Sequence, residues 1–114
     1  MNNNTSSRIG NLLGLARRGG QLTTGFTAVV GLIKDDKKAT VLIAADLSKK
    51  TEKELRYALR EYDFETVRLP INKDEIGRAL GFEKPVGVIG TDDKGFSKAV
   101  KALCCQNERD SKEE

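Results

Sequence analysis

The side chains that could carry acid–base or metal chemistry are few in this sequence. Histidine is absent, which removes the commonest general base and the commonest metal ligand. The acidic pairs Asp35-Asp36 and Asp92-Asp93 lack the alternating ligand spacing of a calcium loop. Because Asp is favoured in turns and at helix N-caps, we interpret both pairs as turn and cap residues. The sequence therefore predicts neither a catalytic centre nor a metal site.

The cysteines and glycines also lack the spacing of known cofactor sites. Cys104 and Cys105 are neighbours, which does not match the two-residue gap of zinc and redox motifs. We expect two thiols at the end of a helix, one packed and one exposed. The glycines of GRALGF and GLARRGG do not form a dinucleotide or P-loop pattern, and the second segment follows a helix rather than a strand. No cofactor is expected.

A phosphate site at a helix start is the chemistry that remains. The stretch LLGLARRGGQLTTGFTAV ends one helix with Arg17, Arg18 and two glycines, and a second helix begins near Thr24-Gly25. A helix N-terminus offers unpaired N–H groups and the positive end of the helix dipole. Gly25 has no side chain to keep a nucleic-acid backbone away. A capped helix with a glycine in its first turn is an equally good interpretation of this segment alone.

Charge and length suit one basic domain. The chain has 114 residues and a net charge of +3, and the last nine residues, QNERDSKEE, carry −2, which leaves +5 for the rest. A positive body suits a polyanionic partner. The polar start MNNNTSS is unlike a secretory signal, and no run approaches the roughly 18 apolar residues of a membrane span. We therefore expect a cytoplasmic protein without a membrane partner.

The elements that must position these residues alternate between helices and strands. Helices are predicted over about Ser7–Arg18 with Ser6 or Ser7 as N-cap, after Thr23 or Thr24, after Ser48 or Thr51, from Asn72 to Gly81, and from Asp92 or Asp93. Strands are predicted at Gln21-Leu22, Ala39–Leu47, Thr66–Pro70 and Val86–Thr91. This alternation predicts an α/β fold: a single-domain three-layer α/β/α sandwich with a central mixed sheet of about four strands. We expect residues 1–6 to be a flexible N-terminus, 7–105 the folded domain and 106–114 an acidic, disordered tail.

Three segments together resemble one known family. LLGLARRGGQLTTGFTAV, ATVLIAADLS and EIGRALGFEKPVGVIG are similar to the L-seven-Ae / L-thirty-e family of ribosomal proteins, in particular its small bacterial members of the YlxQ type. The similarity spans roughly residues 9–103. Members form an α/β/α sandwich and bind RNA, many at kink-turns, which are sharply bent internal loops with sheared G·A pairs. The resemblance implies a non-catalytic, monomeric RNA-binding protein whose partner is structured RNA, ribosomal in the first instance.

The resemblance also implies where RNA would bind. It brings together the start of the second helix (Thr24–Gly31), the pair Ala45-Asp46 and the loop Phe82–Val86. Arg17 and Arg18 would lie near the phosphates. Lys34, Lys37, Lys38, Lys49, Lys50 and Lys84 could surround the same edge or form an ordinary solvated surface. The RNA-binding candidates are Arg17, Arg18, Thr24, Gly25, Phe26, Thr27, Lys34, Asp46, Lys49, Phe82, Glu83, Lys84, Pro85 and Val86.

The sequence departs from the pattern of kink-turn binders where they read bases. Those proteins carry Asn-Glu and a following Lys at the positions of Thr27, Ala28 and Gly31, and often Glu at Ala45. Phosphate contacts position a nucleic acid, and base contacts specify its sequence. The chain keeps Gly25 and the Phe82–Val86 loop, which would hold the RNA backbone and unstacked bases, and lacks most of the side chains that would specify the base pairs. RNA binding without strict kink-turn specificity is expected.

Two alternative functions stay open. The first is a protein-interaction module that has kept the fold and lost RNA recognition. The second is an orphaned RNA-recognition domain of a ribose methyltransferase, without the cofactor-binding half.

The predicted third helix carries charges of both signs at helical spacing. We interpret them as a salt-bridged face. They are Lys53, Arg56 and Arg60 among Glu52, Glu54 and Glu61.

Overall fold

The computed structural model describes the backbone of residues 3–35 and 39–112, and in that part of the chain helices and strands alternate. In chain order they are α1 (Asn3–Arg18), β1 (Thr23–Thr24), α2 (Phe26–Asp35), β2 (Thr40–Ile43), α3 (Lys49–Ala58), β3 (Glu65–Arg68), α4 (Lys73–Leu80), β4 (Val88–Thr91) and α5 (Lys94–Lys112). Asp36, Lys37 and Lys38 lie outside the described residues.

The strands form one mixed sheet in the order β1-β4-β2-β3. β2 runs parallel to β3 and antiparallel to β4, and β4 is antiparallel to β1. Ile43 at the end of β2 lies opposite both Arg68 and Val88, and Thr24 lies opposite Ile89. The last residues of β1, β2 and β3 therefore lie at one end of the sheet together with the start of β4, and we call this the site end.

Helices cover both faces of the sheet. On one face α1, α4 and α5 pack on Leu42 and Ile89, and on the other α2 and α3 pack on Val41, Ile43 and Val88. The strand residues alternate between the two faces because successive strand side chains point in opposite directions. The predicted three-layer α/β/α sandwich is confirmed.

Several predicted helix ends are confirmed by their hydrogen bonds. Ser48 Oγ accepts the N–H of Thr51 at 3.1 Å. Asn72 and Glu75 form a reciprocal capping box at the start of α4, and Gly81 ends that helix with φ of 84°. These side chains satisfy N–H groups that the helix itself leaves unpaired.

Other predicted boundaries were wrong. α1 begins at Asn3 rather than near Ser7, so Ser6 and Ser7 lie within it. The first strand is Thr23–Thr24 rather than Gln21-Leu22, because the N–H groups of Gly20 and Gln21 bond back to α1 and delay the return to the sheet. Thr24 therefore belongs to a strand and does not cap α2.

The central strand is shorter than its apolar run. β2 ends at Ile43 rather than Leu47, since the N–H of Leu47 bonds to the carbonyl of Ala44 and closes a turn at Ala45 and Asp46.

At the other end of the chain α5 extends to Lys112, past residue 105. The flexibility of residues 1–6 and the disorder of 106–114 stay predictions. Cys104 is half-buried against the core, and the side chain of Cys105 lies outside the described part.

Candidate nucleic-acid interface

A groove of about 600 Å³ opens at the site end of the sheet. We call it the α2 groove, and its walls come from the β1–α2 junction, the start of α3, the start of α4 and the loop before β4. It is lined by Thr24, Gly25, Phe26, Leu47, Ser48, Thr51, Lys73, Phe82, Lys84, Pro85, Val86, Gly87 and Val88. Four segments that are separated in sequence thus form one concave surface.

The start of α2 presents unpaired backbone donors at this groove. The N–H of Gly25 donates to Val88 and its carbonyl accepts from Val29, both at 3.0 Å. The N–H groups of Phe26, Thr27 and Ala28 have no backbone acceptor among the described residues, as expected for the first turn of a helix. These donors and the positive dipole end suit an anion.

Gly25 has a conformational role as well as an open surface. Its φ is +99°, and a Cβ placed there would meet no atom within 4 Å. The approach to the backbone is therefore open, as the sequence predicts. The positive φ adds a reason for glycine, because other L-residues rarely adopt this conformation.

The loop of residues 82–86 is held against α4. The N–H of Phe82 donates to the carbonyl of Gly77 at 2.9 Å, and the N–H of Val86 donates to that of Lys73 at 3.1 Å. A Cβ at Gly77 would overlap the carbonyl oxygen of Lys84. Glycine at position 77 therefore allows the loop to lie directly on the helix and fixes the groove wall.

Phe82 belongs partly to the core and partly to the groove. Its ring is half-buried and packs against the core cluster that contains Leu80. The guanidinium carbon of Arg17 lies 4.5 Å from the ring centroid, within the range of a cation–π contact. Arg17 thus reaches the groove wall from the end of α1.

Asp46 links two walls of the groove. Its Oδ1 accepts the N–H of Lys73 at 2.9 Å, so it satisfies a donor at the start of α4. Lys73 lines the groove, and its side chain lies close to Gly87, where a Cβ would be 3.4 Å from Lys73 Cδ. Asp46 therefore has a structural partner at the position that the sequence assigns to RNA.

The turn that carries Asp46 is tied to β3 by Arg68. Arg68 Nη1 donates to the carbonyls of Ala44 and Ala45, each at 3.1 Å, and Nη2 donates to Glu52. Glu52 also accepts from Arg56 at 3.1 Å. The pKa of Glu52 is lowered by the hydrogen bond from Arg56 and by Arg68, against the opposing effect of burial. We call Arg68 and Glu52 the arginine strut.

Of the fourteen predicted residues, the structure places half in the lining of the α2 groove. Seven line it: Thr24, Gly25, Phe26, Phe82, Lys84, Pro85 and Val86. Thr27 is exposed in the first turn of α2, Lys49 is exposed beside Ser48, and Glu83 is exposed within the loop. Arg17 and Asp46 contact lining residues.

Two predicted residues lie elsewhere. Lys34 is near the far end of α2, about 12 Å along the helix axis from Phe26 at 1.5 Å per residue. Arg18 lines a different surface between α1 and α4. Lys50, one of the lysines that could surround the groove or form a solvated surface, is exposed on α3.

Sequence reasoning missed six lining residues and the strut. The six are Leu47, Ser48, Thr51, Lys73, Gly87 and Val88. Lys73 could have been suspected because it follows the predicted cap Asn72 directly, which puts it at the start of a helix. Nothing local marks Arg68, whose partners are more than fifteen residues away in sequence.

The charged face of α3 is only partly paired. Arg56 pairs with Glu52, but Arg60 lies beyond the end of α3 at Ala58, where it covers the Tyr57 ring at 4.1 Å and donates to the Tyr57 carbonyl. Across the described residues no three His, Cys, Asp or Glu side chains could together hold a metal ion. No described helix is both long and apolar enough to span a membrane.

Fold and groove define the class: a small α/β/α sandwich with a groove at the site end of its sheet, and two lysines, Lys73 and Lys84, in the lining of that groove. Comparison with known proteins makes this specific. The chain belongs to the Ribosomal protein L7Ae/L30e/S12e/Gadd45 family, whose sequence model matches residues 7–108. The family resemblance seen in the sequence is confirmed.

Individual relatives cover most of the chain. It is 34% identical over 103 residues to RNA-binding protein YlxQ of Enterococcus faecium, with 90% of this chain and 97% of that protein covered. A protein with unknown function from Bacillus halodurans C has a similar structure (TM-score 0.71, 35% identity, 83% of this chain and 94% of that one). The Giardia lamblia 15.5kD RNA binding protein shares the fold (TM-score 0.65, 21% identity, 96% and 92% covered).

Proposed function

We propose that this protein binds structured RNA in the α2 groove and acts without catalysis, with ribosomal RNA as the first candidate. The observation that carries the proposal is the meeting of unpaired N–H donors, lysines and apolar surface in one groove. The family and the name of the Enterococcus faecium relative support RNA as the ligand. One copy of the chain supplies the whole groove, so we propose that the protein acts as a monomer. We also propose a cytoplasmic location.

Phosphates and bases would use different parts of the groove. The N–H groups at the start of α2 and the ammonium groups of Lys73 and Lys84 suit phosphate oxygens. The half-buried Phe82 and the exposed Pro85 offer an apolar surface for an unstacked base. RNA is therefore held by shape, charge and stacking.

The side chains on the exposed face of α2 limit specificity. Thr27, Ala28 and Gly31 are all exposed, and none can make the bidentate contacts that read guanine edges. Each such contact is worth about 1–3 kcal/mol. We therefore propose that a kink-turn with tandem G·A pairs is bound at most about tenfold better than an unkinked control.

Negative charge introduced in and beside the groove tests the proposal. Lys84→Glu and Thr27→Glu each place a carboxylate beside the proposed phosphate path, and Thr27→Glu is favourable to the helix because it lies near the positive dipole end. We expect each to weaken binding to ribosomal RNA fragments by about tenfold or more at low salt. The matched control is Lys98→Glu, an exposed lysine of α5 that lines a cavity with Thr40 and Thr91 at the opposite end of the sheet.

Titrations and circular-dichroism melts should be run on the same preparations. The control should bind within twofold of the parent, and the melts should show that all the variants fold. Folded Lys84→Glu and Thr27→Glu variants with the parent's affinity would remove the α2 groove as the RNA site.

One observation favours the second candidate function, a protein-interaction module. A shallow apolar surface lies between α1 and α5, where Leu15 is 59% exposed beside Leu12 and Leu103. Crosslinking the tagged protein in cells and sequencing the captured RNA separates the two functions. A library at background level would favour the interaction module, and enrichment of ribosomal or other structured RNA would favour the first proposal.

A further inference from the structure

We infer that the face between α1 and α4 is a second phosphate-binding surface, which receives the duplex that flanks the RNA segment in the α2 groove. Arg18 and Arg78 are the residues of this surface that would contact the phosphates. The inference rests on the proposed function, since the same RNA occupies both surfaces, but it concerns residues outside the α2 groove.

The two arginines share one surface depression. A groove of about 630 Å³ lies between α1 and α4, and both side chains line it. We call it the α1–α4 groove. Its remaining lining is small or polar: Ser7, Gly10, Asn11, Gly14, Glu75 and Ala79. No large apolar side chain lines it, so it lacks the apolar centre that a protein partner would bury.

The guanidinium groups are available to a ligand. Within the described residues the guanidinium groups of Arg18 and Arg78 make no hydrogen bond, ion pair or ring contact. Glu75 is the acidic residue of this groove, and its Oε1 accepts the N–H of Asn72 in the capping box. Arg17, Arg56, Arg60 and Arg68, by contrast, each have a partner on the protein.

The second groove is joined to the first through the loop that follows α4. Phe82 carries Arg17 on its ring and bonds to Gly77, the neighbour of Arg78. The carbonyl of Lys84 lies on the same glycine. Cationic residues therefore follow one another from the α2 groove across this loop onto α1 and α4.

A nucleic-acid backbone is the partner that this chemistry fits. Guanidinium groups bind phosphate oxygens through two parallel hydrogen bonds, and they remain charged at any physiological pH. The adjacent positions 17 and 18 point about 100° apart on a helix, so one arginine reaches Phe82 while the next faces α4. Two adjacent arginines at the end of α1 can thus serve both grooves.

Two RNAs with the same loop and different stems test the inference. One stem has about 4 base pairs, and the other has about 12, which at roughly 3 Å per pair matches the protein's 38 × 30 × 27 Å extents. We expect the parent to bind the long RNA more tightly, with a steeper salt dependence. The Arg18→Ala, Arg78→Ala double variant should lose about tenfold in affinity for the long RNA, and its salt slope should fall by about 1.5–2.

Controls separate this inference from the proposed function. The double variant should bind the short RNA like the parent, and Arg8→Ala, which removes another exposed arginine of α1, should change neither affinity. The Arg18→Lys, Arg78→Lys variant keeps both charges and should recover the parent's salt slope. The inference is overturned if the double alanine variant binds the long RNA with the parent's affinity and slope while Lys84→Glu still weakens binding. A parent that binds neither RNA overturns the proposed function as well.

Discussion

Removal of the arginine strut should destabilise the fold more than its exposure suggests. Arg68 spans three elements, because its guanidinium bonds to the carbonyls of Ala44 and Ala45 after β2 and to Glu52 on α3. Arg68→Ala leaves both carbonyls without this donor. It also leaves the turn that carries Asp46 without its tie to β3.

The magnitude follows from the contacts. The Arg68 side chain is 44% exposed, so water competes for each bond, and we assign about 0.5–1 kcal/mol to each of the three. The sum is about 2 kcal/mol in the free energy of unfolding. At an unfolding entropy of about 2 cal/mol/K per residue, this lowers the Tm of a 114-residue chain by about 8 °C.

Urea and thermal unfolding of the variants provide the assay. Arg56→Ala is the matched control, because Arg56 pairs with the same glutamate through a side chain that is 60% exposed. It should cost less than about 0.5 kcal/mol. Arg68→Lys should lose more than half of the effect, since an ammonium group cannot reproduce the guanidinium fork. The reasoning is refuted if Arg68→Ala is no more destabilising than Arg56→Ala.

Three further predictions concern the loop of residues 82–86, the stability of the fold at acid pH, and base recognition. Gly77→Ala should cost about 1–3 kcal/mol in denaturant unfolding and weaken RNA binding, because its Cβ overlaps the carbonyl of Lys84; parental stability would contradict this. The pKa of Glu52 is lowered in the fold, so its charge stabilises above the unfolded-state pKa, and this contribution is lost as pH falls through the folded-state pKa. The stability difference between the parent and Glu52→Gln, measured by urea unfolding across pH, should therefore shrink in acid, and a constant difference would contradict the pairing. The triple variant Thr27→Asn, Ala28→Glu, Gly31→Lys restores the base-reading pattern on α2. In paired titrations it should raise the preference for a kink-turn over its unkinked control by about tenfold or more. An unchanged ratio would contradict the interpretation of these substitutions as restored base contacts.

Local signals predicted the elements but not all of their ends. Ser48, Asn72 and Gly81 act through neighbours three or four residues away, so their caps could be predicted from the sequence. β2 ends in the turn that the N–H of Leu47 closes on the carbonyl of Ala44, and Arg68, 24 residues beyond Ala44, bonds to the same carbonyl. An apolar run contains no information about such a partner, and the strand was therefore predicted too long.

The site was predicted as segments rather than as side chains. The resemblance named three segments, and sheet register brings all three to one end of the fold. The resemblance could not show that Arg17 contacts the α2 groove and Arg18 does not. Adjacent helical residues face different neighbours, and only the packing of the fold shows which neighbour each one has. Lys34 was included for its charge, although its position near the end of α2 puts it about 2.5 helical turns from Gly25. Lys73 follows the predicted cap Asn72, but its backbone contact with Asp46, 27 residues earlier, could not be predicted from local sequence.

Salt-dependent binding of a short structured RNA tests the central claim most directly. Arg17, Lys73 and Lys84 supply three cations at the α2 groove, which predicts a slope of about −2 to −3 for log affinity against log salt. The Lys73→Ala, Lys84→Ala variant should bind more weakly at low salt, with a slope about 1.5–2 closer to zero. Absence of binding by the parent at the lowest salt, or a slope that the double variant leaves unchanged, would contradict the account.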